Sequence, residues 1–242
     1  MLRTLVVSCL LLVTAHLHGE GVDPKPGKQI EVKAVADSTD NPPYNYLLFV
    51  PASYEKQAKW PLIVFLHGSG ERGDRLDLVK VHGPPKIVDS KPEFEFVVLS
   101  PQVPSDERWE ADKLMQLIDQ VATTAHVDTD RIYLTGLSMG GYGTWTTAAK
   151  YPERFAAIVP ICGGGEPETA EKLKRLPCWV FHGAKDTAVS LKQSEEMVEA
   201  LKQAGAAPKF TVYPDAGHDS WTQSYNNPEL YEWLLEQRRP QK

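Results

Sequence analysis

Gly136-Leu137-Ser138-Met139-Gly140 is the stretch that decides the fold. It follows the apolar run Ile132-Tyr133-Leu134 and precedes a helical stretch carrying Trp145, Ala148 and Ala149. This is a G-x-S-x-G pentapeptide in the strand-turn-helix setting that a nucleophile elbow requires. The turn is so sharp that a side chain at either glycine would collide with neighbouring backbone. The Ser138 hydroxyl is thereby lifted out of the sheet, and the Met139 amide points into the site. The competing reading is a plain Gly-Ser loop, which the rest of the chain has to exclude.

A serine hydroxyl is a weak nucleophile unless a base takes its proton and a carboxylate holds that base. With this elbow the partners follow in the chain order serine, acid, histidine. The histidines after Ser138 are His182 and His218. His182 lies in the apolar stretch Trp179-Val180-Phe181-His182 and precedes every later aspartate, which places it along a buried strand. That leaves His218 as the base, in the small-residue loop Pro214-Asp215-Ala216-Gly217-His218-Asp219. Asp186 is the preferred acid, because Gly183-Ala184-Lys185-Asp186 falls at the carboxyl end of a strand, where catalytic groups of open α/β sheets gather. Asp215 and Asp219 stand too near His218 in sequence to approach its ring easily, and both suit turns.

The unbroken apolar run Pro61-Leu62-Ile63-Val64-Phe65-Leu66 reads as a buried strand, ending in His67-Gly68-Ser69-Gly70. Amides here face the elbow, so the backbone N–H groups of Ser69 and Met139 are the expected oxyanion hole. His67 is expected to be structural, its ring bonded into the loop. The segment Gly68-Ser69-Gly70-Glu71-Arg72-Gly73 also matches G-x-G-x-x-G. A dinucleotide site would need an acidic residue at the tip of the next strand, which instead reads Ser100-Pro101-Gln102. No nucleotide or other cofactor is expected.

The 242 residues suit one α/β domain, and the net charge of −6 gives no electrostatic footprint for nucleic acid. Zinc signatures are absent, so no metal is expected. Residues 1–19 read as a signal peptide: Arg3 is its positive end, and the apolar stretch from Leu5 to Val13 is too short to span a bilayer. Val13-Thr14-Ala15 suits cleavage, as does a cut after Gly19. The mature chain is then secreted or periplasmic, without a membrane span. Cys162 and Cys178 sit at opposite ends of neighbouring strands, so both are expected as free thiols despite an oxidising compartment.

Residues 20–27 form a Pro/Gly linker, and residues 28–238 a single catalytic domain. Antiparallel strands over residues 29–36 and 44–50 are followed by strands near 62–66, 96–99, 131–135, 157–161, 179–182 and 210–213. Helical stretches alternate with these later strands, which implies a mostly parallel eight-stranded sheet covered on both faces. One helix buries Leu114, Leu117, Ile118 and Val121. Another buries Leu191, Ser194, Met197, Val198 and Leu201, with Ser190 and Gln193 as a capping box and Gly205 as its stop. The last starts at Asn227-Pro228 and buries Leu230, Trp233 and Leu234. Only residues 163–177 separate the sixth and seventh strands, too few for a lid domain.

The loop Leu66-His67-Gly68-Ser69-Gly70-Glu71-Arg72-Gly73, the elbow, His182-Gly183-Ala184-Lys185-Asp186 and Ala216-Gly217-His218 together resemble an α/β-hydrolase. Over residues 28–238 the chain is similar to secreted bacterial esterases grouped with dienelactone hydrolases, phospholipase/carboxylesterases and peptidases. It also resembles carbohydrate esterases that release feruloyl or acetyl groups. Ser138 stands where dienelactone hydrolases carry a cysteine nucleophile, which points away from lactone rings. The resemblance implies hydrolysis of a small-molecule or polysaccharide-linked ester through an acyl-enzyme. Gln102, Trp109 and Trp221 fall near strand tips and are expected to line the substrate pocket; ordinary packing is their other reading. A serine peptidase and a non-catalytic binding module on the same fold are the alternatives.

Overall fold

The computed structural model describes residues 23–33 and 44–239. The expected signal peptide, the end of the first strand beyond residue 33 and the turn-rich stretch 37–43 lie outside the described residues. Strands β1 (Gln29–Val32), β2 (Asn45–Phe49), β3 (Trp60–Leu66), β4 (Val97–Gln102), β5 (Val127–Leu137), β6 (Ala157–Ile161), β7 (Trp179–Gly183) and β8 (Lys209–Tyr213) form one 8-stranded sheet. Their order is β1-β2-β4-β3-β5-β6-β7-β8. β2 runs antiparallel to both β1 and β4, and the strands β3 to β8 run parallel to one another.

The parallel strands are apolar throughout because both faces are covered. Every residue of β3 is buried, and its side chains alternate between two cores. Leu62, Val64 and Leu66 join Leu134, Ile158 and Val180 on one face, where α2 (Ala111–Thr124), α3 (Met139–Lys150) and α5 (Leu191–Gln203) pack. Ile63 and Phe65 join Tyr133, Val159 and Phe181 on the other, under α1 (Gly83–Val88), α6 (Trp221–Asn226) and α7 (Pro228–Glu236). The period of two in the strands thus decides which helix each strand residue meets.

Local signals operate as expected at the start of α7 and the end of α5. Asn227 accepts the Glu229 amide at 3.0 Å, with Pro228 in the first turn of α7. Gly205, at φ 88°, ends α5. The capping box expected at Ser190 does not form: its side chain makes no cap bond, and Gln193 instead accepts the Tyr142 hydroxyl at 2.6 Å. Residues 163–177 hold one 3-10 turn (Pro167–Thr169) and the short helix α4 (Ala170–Leu173). Cys162 and Cys178 are both free and buried. Ile158 bridges to Cys178, and Cys162 lies four residues further along, roughly 13 Å away at ~3.3 Å per residue.

The chain leaves β3 toward β4 on one side and then crosses to β5 on the other. Such a switch point opens a crevice at the carboxyl ends of the strands. The loop after β3 and the elbow after β5 meet there.

Candidate active site

Ser138 joins β5 to α3 with φ 52° and ψ −115°, a backbone region that ordinary side chains avoid. Such strain persists only where the surroundings over-determine it. A Cβ at Gly140 would lie 1.9 Å from the Leu66 carbonyl oxygen, and one at Gly136 2.3 Å from that of Gly140. Backbone therefore packs directly on backbone, which is why the pentapeptide needs glycine at both ends. The Ser138 amide donates to the Ile161 carbonyl at 3.0 Å, tying the turn to the end of β6.

Three of the candidate residues, drawn from separate loops, converge. His218 Nε2 lies 3.0 Å from Ser138 Oγ, and His218 Nδ1 lies 2.7 Å from Asp186 Oδ2. The Asp186 side chain is fully buried, and its Oδ1 accepts the amides of Ala188 and Val189, each at 2.9 Å. Burial pushes this carboxyl upward, but the hydrogen bonds from His218, Val189 and Ala188 outweigh it and hold the group below its ordinary value. The alternative acids are spent elsewhere: Asp215 pairs with Lys185 at 2.7 Å, and Asp219 accepts the Thr222 amide at 3.1 Å at the start of α6.

Met139 opens α3, so its N–H has no acceptor within the helix. Ser69 opens the 3-10 turn Ser69–Glu71 that follows β3. A Cβ built on the neighbouring Gly68 would lie 3.7 Å from Ser138 Cβ, so this loop overhangs Ser138. The loop is fixed from beneath. The Gly68 amide donates to Glu71 Oε2 at 2.8 Å. His67 is fully buried; its Nε2 accepts the Val103 amide at 3.0 Å, which leaves Nδ1 to donate to the Gly68 carbonyl at 2.6 Å. Burial lowers this imidazole to about 4, so His67 is a neutral structural ring.

The expected pocket residues separate into two kinds. Gln102 is 2% exposed, and its Nε2 donates to the carbonyls of Glu71 and Arg75, both at 2.8 Å. Trp109 is 8% exposed, with its indole N–H donating to the His67 carbonyl at 3.2 Å and its ring edge-on to that of His67. Both expectations are corrected: the Gln102 amide N–H groups and the Trp109 indole N–H bond inward and support the loop after β3. Trp221 is partly exposed and begins α6. Its ring meets that of His218 edge-on at 5.1 Å and that of His82 at 5.3 Å.

His182 carries more than its position in an apolar strand suggested. Its Nε2 lies 3.2 Å from Asp186 Oδ2, and neither side chain is exposed. The signal was the four-residue spacing of His182 and Asp186 across the turn that ends β7. Cys162, at φ 41°, is the other unforeseen neighbour. Its sulfur, a ring nitrogen of His218 and a carboxylate oxygen of Asp186 lie within 4.8 Å of one another, a donor set that could hold a soft cation. Burial pushes this thiol up to about 12, and His218 and Asp186 already bond to each other.

A mostly parallel sheet with a serine on a strained elbow, and a histidine and aspartate on the later strand tips, is the α/β-hydrolase fold. The chain belongs to the dienelactone hydrolase family, whose model matches residues 44–230. A thermostable esterase of known structure superposes with a TM-score of 0.76 at 34% identity, over 88% of this chain and 64% of that one. A ferulic acid esterase superposes with a TM-score of 0.67 at 18% identity, over 86% of this chain and 96% of that one, a likeness of fold. A bifunctional acetylxylan esterase/xylanase of Neocallimastix patriciarum is 29% identical over 133 residues, which is 53% of this chain and 18% of that protein. A poly(3-hydroxyalkanoate) depolymerase of Paucimonas lemoignei is 42% identical over 55 residues, 23% of this chain and 13% of that protein. The chain thus spans less than a fifth of these two curated relatives.

Proposed function

We propose that the protein is a serine carboxylesterase acting on short-chain or carbohydrate-linked esters, acetyl or feruloyl among them. The observation that carries this reading is the continuous chain Asp186–His218–Ser138, with links of 2.7 and 3.0 Å, ending on the strained elbow. Ser138 Oγ attacks the ester carbonyl while its proton passes to His218 Nε2. The tetrahedral oxyanion is held by the amides of Met139 and Ser69, each such donor being worth about 3–4 kcal/mol of barrier. His218 then protonates the departing alkoxide, leaving an acyl-Ser138 ester. Water, deprotonated by the same ring, attacks that ester and releases the acid and free Ser138. Asp186 keeps the Nδ1 proton in place so that Nε2 stays available as the base.

The esterase and acetylxylan esterase among the relatives support the ester class. Trp221 beside His218 offers an aromatic wall to an acyl group or a phenolic ring. Residues 1–19 serve in this reading as an export signal, and residues 28–238 as the catalytic domain.

The test is hydrolysis of p-nitrophenyl acetate, butyrate and octanoate and of methyl ferulate by residues 20–242, with Ser138→Ala alongside. Turnover that disappears in the variant supports the reading, and the preferred ester selects the acyl class. Equal inertness of both proteins on every ester, and toward a fluorophosphonate, would sink it.

A further inference from the structure

We propose that His182 is a positioning residue for the Asp186 carboxylate, extending the chain Ser138–His218–Asp186 by one ring and one hydroxyl. The inference rests on the catalytic reading given above and assigns a fourth member to the same site.

The geometry determines one proton outright. His182 Nε2 has two oxygen neighbours, the Val189 carbonyl at 2.9 Å and Asp186 Oδ2 at 3.2 Å. Both accept hydrogen bonds and neither donates, so Nε2 must carry a proton. That proton is donated to the Val189 carbonyl, and the same nitrogen faces Asp186 Oδ2, which receives His218 Nδ1 from the other side at 2.7 Å. Asp186 is consequently held by three hydrogen-bond donors, two amides on Oδ1 and His218 on Oδ2, with the His182 ring nitrogen packed against Oδ2 at 3.2 Å. A buried carboxylate with this many donors stays ionised, and its plane has little freedom to turn.

His182 is itself locked from behind. Its Nδ1 lies 2.7 Å from Ser194 Oγ, and Ser194 Oγ lies 3.1 Å from the Gly163 carbonyl. The Ser194 hydroxyl donates to the Gly163 carbonyl, and its oxygen holds the Nδ1 edge of the ring so that the Nε2 edge faces Asp186. Ser194 is fully buried on α5, although a serine on the apolar face of a helix loses burial energy relative to alanine. A buried serine and a buried histidine facing each other, with the catalytic acid next in line, form a polar network whose members all find partners. Packing alone would be served by apolar residues at both positions.

Two near-isosteric substitutions separate positioning from packing. His182→Gln keeps an N–H donor near the Nε2 position, whereas His182→Asn keeps one only near Nδ1. Both are compared with the wild type and Ser138→Ala by p-nitrophenyl acetate hydrolysis across pH 5–9. The low-field NMR signal of the proton shared by His218 and Asp186 is read in the same proteins, and it needs no turnover. His182→Gln is expected to retain kcat within about threefold, while His182→Asn loses about tenfold or more at unchanged KM, the scale for a supporting partner of a catalytic ligand. In His182→Asn the acid limb of the kcat/KM profile is expected to move to higher pH, because Asp186 without the polar His182 N–H beside it attracts the His218 proton more strongly. The low-field signal is expected to keep its wild-type position in the glutamine variant and to shift in the asparagine variant. Equal kcat, equal profiles and an unmoved signal in the two variants would overturn the proposal. If His182→Asn fails to fold, Ser194→Ala takes its place, with the same direction expected and an unmoved signal counting against the inference. Hydrolysis that survives Ser138→Ala counts against the esterase reading instead, and the NMR comparison still decides the role of His182.

Discussion

Asp186 Oδ2 sits 2.7 Å from His218 Nδ1 although 32 residues separate them, and the two meet only because β7 and β8 are parallel neighbours with their loops on the same edge. The ring is thereby held with its other nitrogen toward Ser138. Asp186→Asn is expected to preserve the fold and to cut kcat about 10⁴-fold, since the amide can hold the wrong tautomer of His218. Steady-state kinetics alongside circular dichroism checks this. Unimpaired turnover would transfer the acid role to Asp215 or Asp219.

Gly140 is closed to any side chain. A Cβ there would lie 1.9 Å from the Leu66 carbonyl oxygen, which is backbone at the end of the central strand and cannot step aside. Gly140→Val is expected to yield insoluble or inactive protein, and even Gly140→Ala to lower the melting temperature by several degrees, about 2 kcal/mol or more in a domain of this size. A soluble Gly140→Val protein of wild-type activity would contradict the close approach.

His67 makes stability depend on pH. The unfolded chain takes up its proton near pH 6.5, the folded ring only near 4, because protonation must occur in a buried site and would break the bond from the Val103 amide. Stability from this residue is therefore complete above about pH 6.5 and is lost progressively as the pH falls toward 4. The lowering amounts to about 3 kcal/mol. Urea unfolding between pH 7.5 and 4.5 is expected to show this decline, and His67→Gln to flatten it. An undiminished slope in the variant would show that other groups carry it.

Trp221 is the one expected pocket residue that borders the triad, with its ring edge-on to His218 at 5.1 Å. Trp221→Ala is expected to leave the fold intact and to lower kcat/KM about tenfold, with a larger loss for an aromatic ester than for acetate. Trp109→Ala should behave differently. Trp109 is buried beneath the His67 loop, so its loss is expected to destabilise the whole protein by about 3–5 kcal/mol. Melting curves and paired kinetics on the two variants distinguish these roles.

The unequal legibility of the site has physical causes. Ser138, Asp186 and His218 could be named from the sequence because each sits in a local pattern: a glycine-flanked turn, a strand end and a small-residue loop in obligatory order. Gln102 and Trp109 were misjudged because a position near a strand tip does not reveal which way a side chain turns. That direction depends on the loop after β3, whose carbonyls at His67, Glu71 and Arg75 take up their N–H groups. Helix α6 was hidden because it is one turn and a half of polar and aromatic residues, held by Tyr225 against Phe65 and Thr135 across the sheet.

By itself, then, the sequence determined the succession of strands along the chain, the mostly parallel sheet and the candidates for nucleophile, base and acid. Periodicity, glycine placement and strand-end position are properties of neighbouring residues and can be read along a chain. Only the tertiary structure decided that His182 and Ser194 stand behind Asp186, that Cys162 lies against the triad, and that Trp221 rather than Trp109 or Gln102 borders it. Those relationships join residues on different strands, helices and loops, and they follow from how the crossovers stack those elements over the sheet.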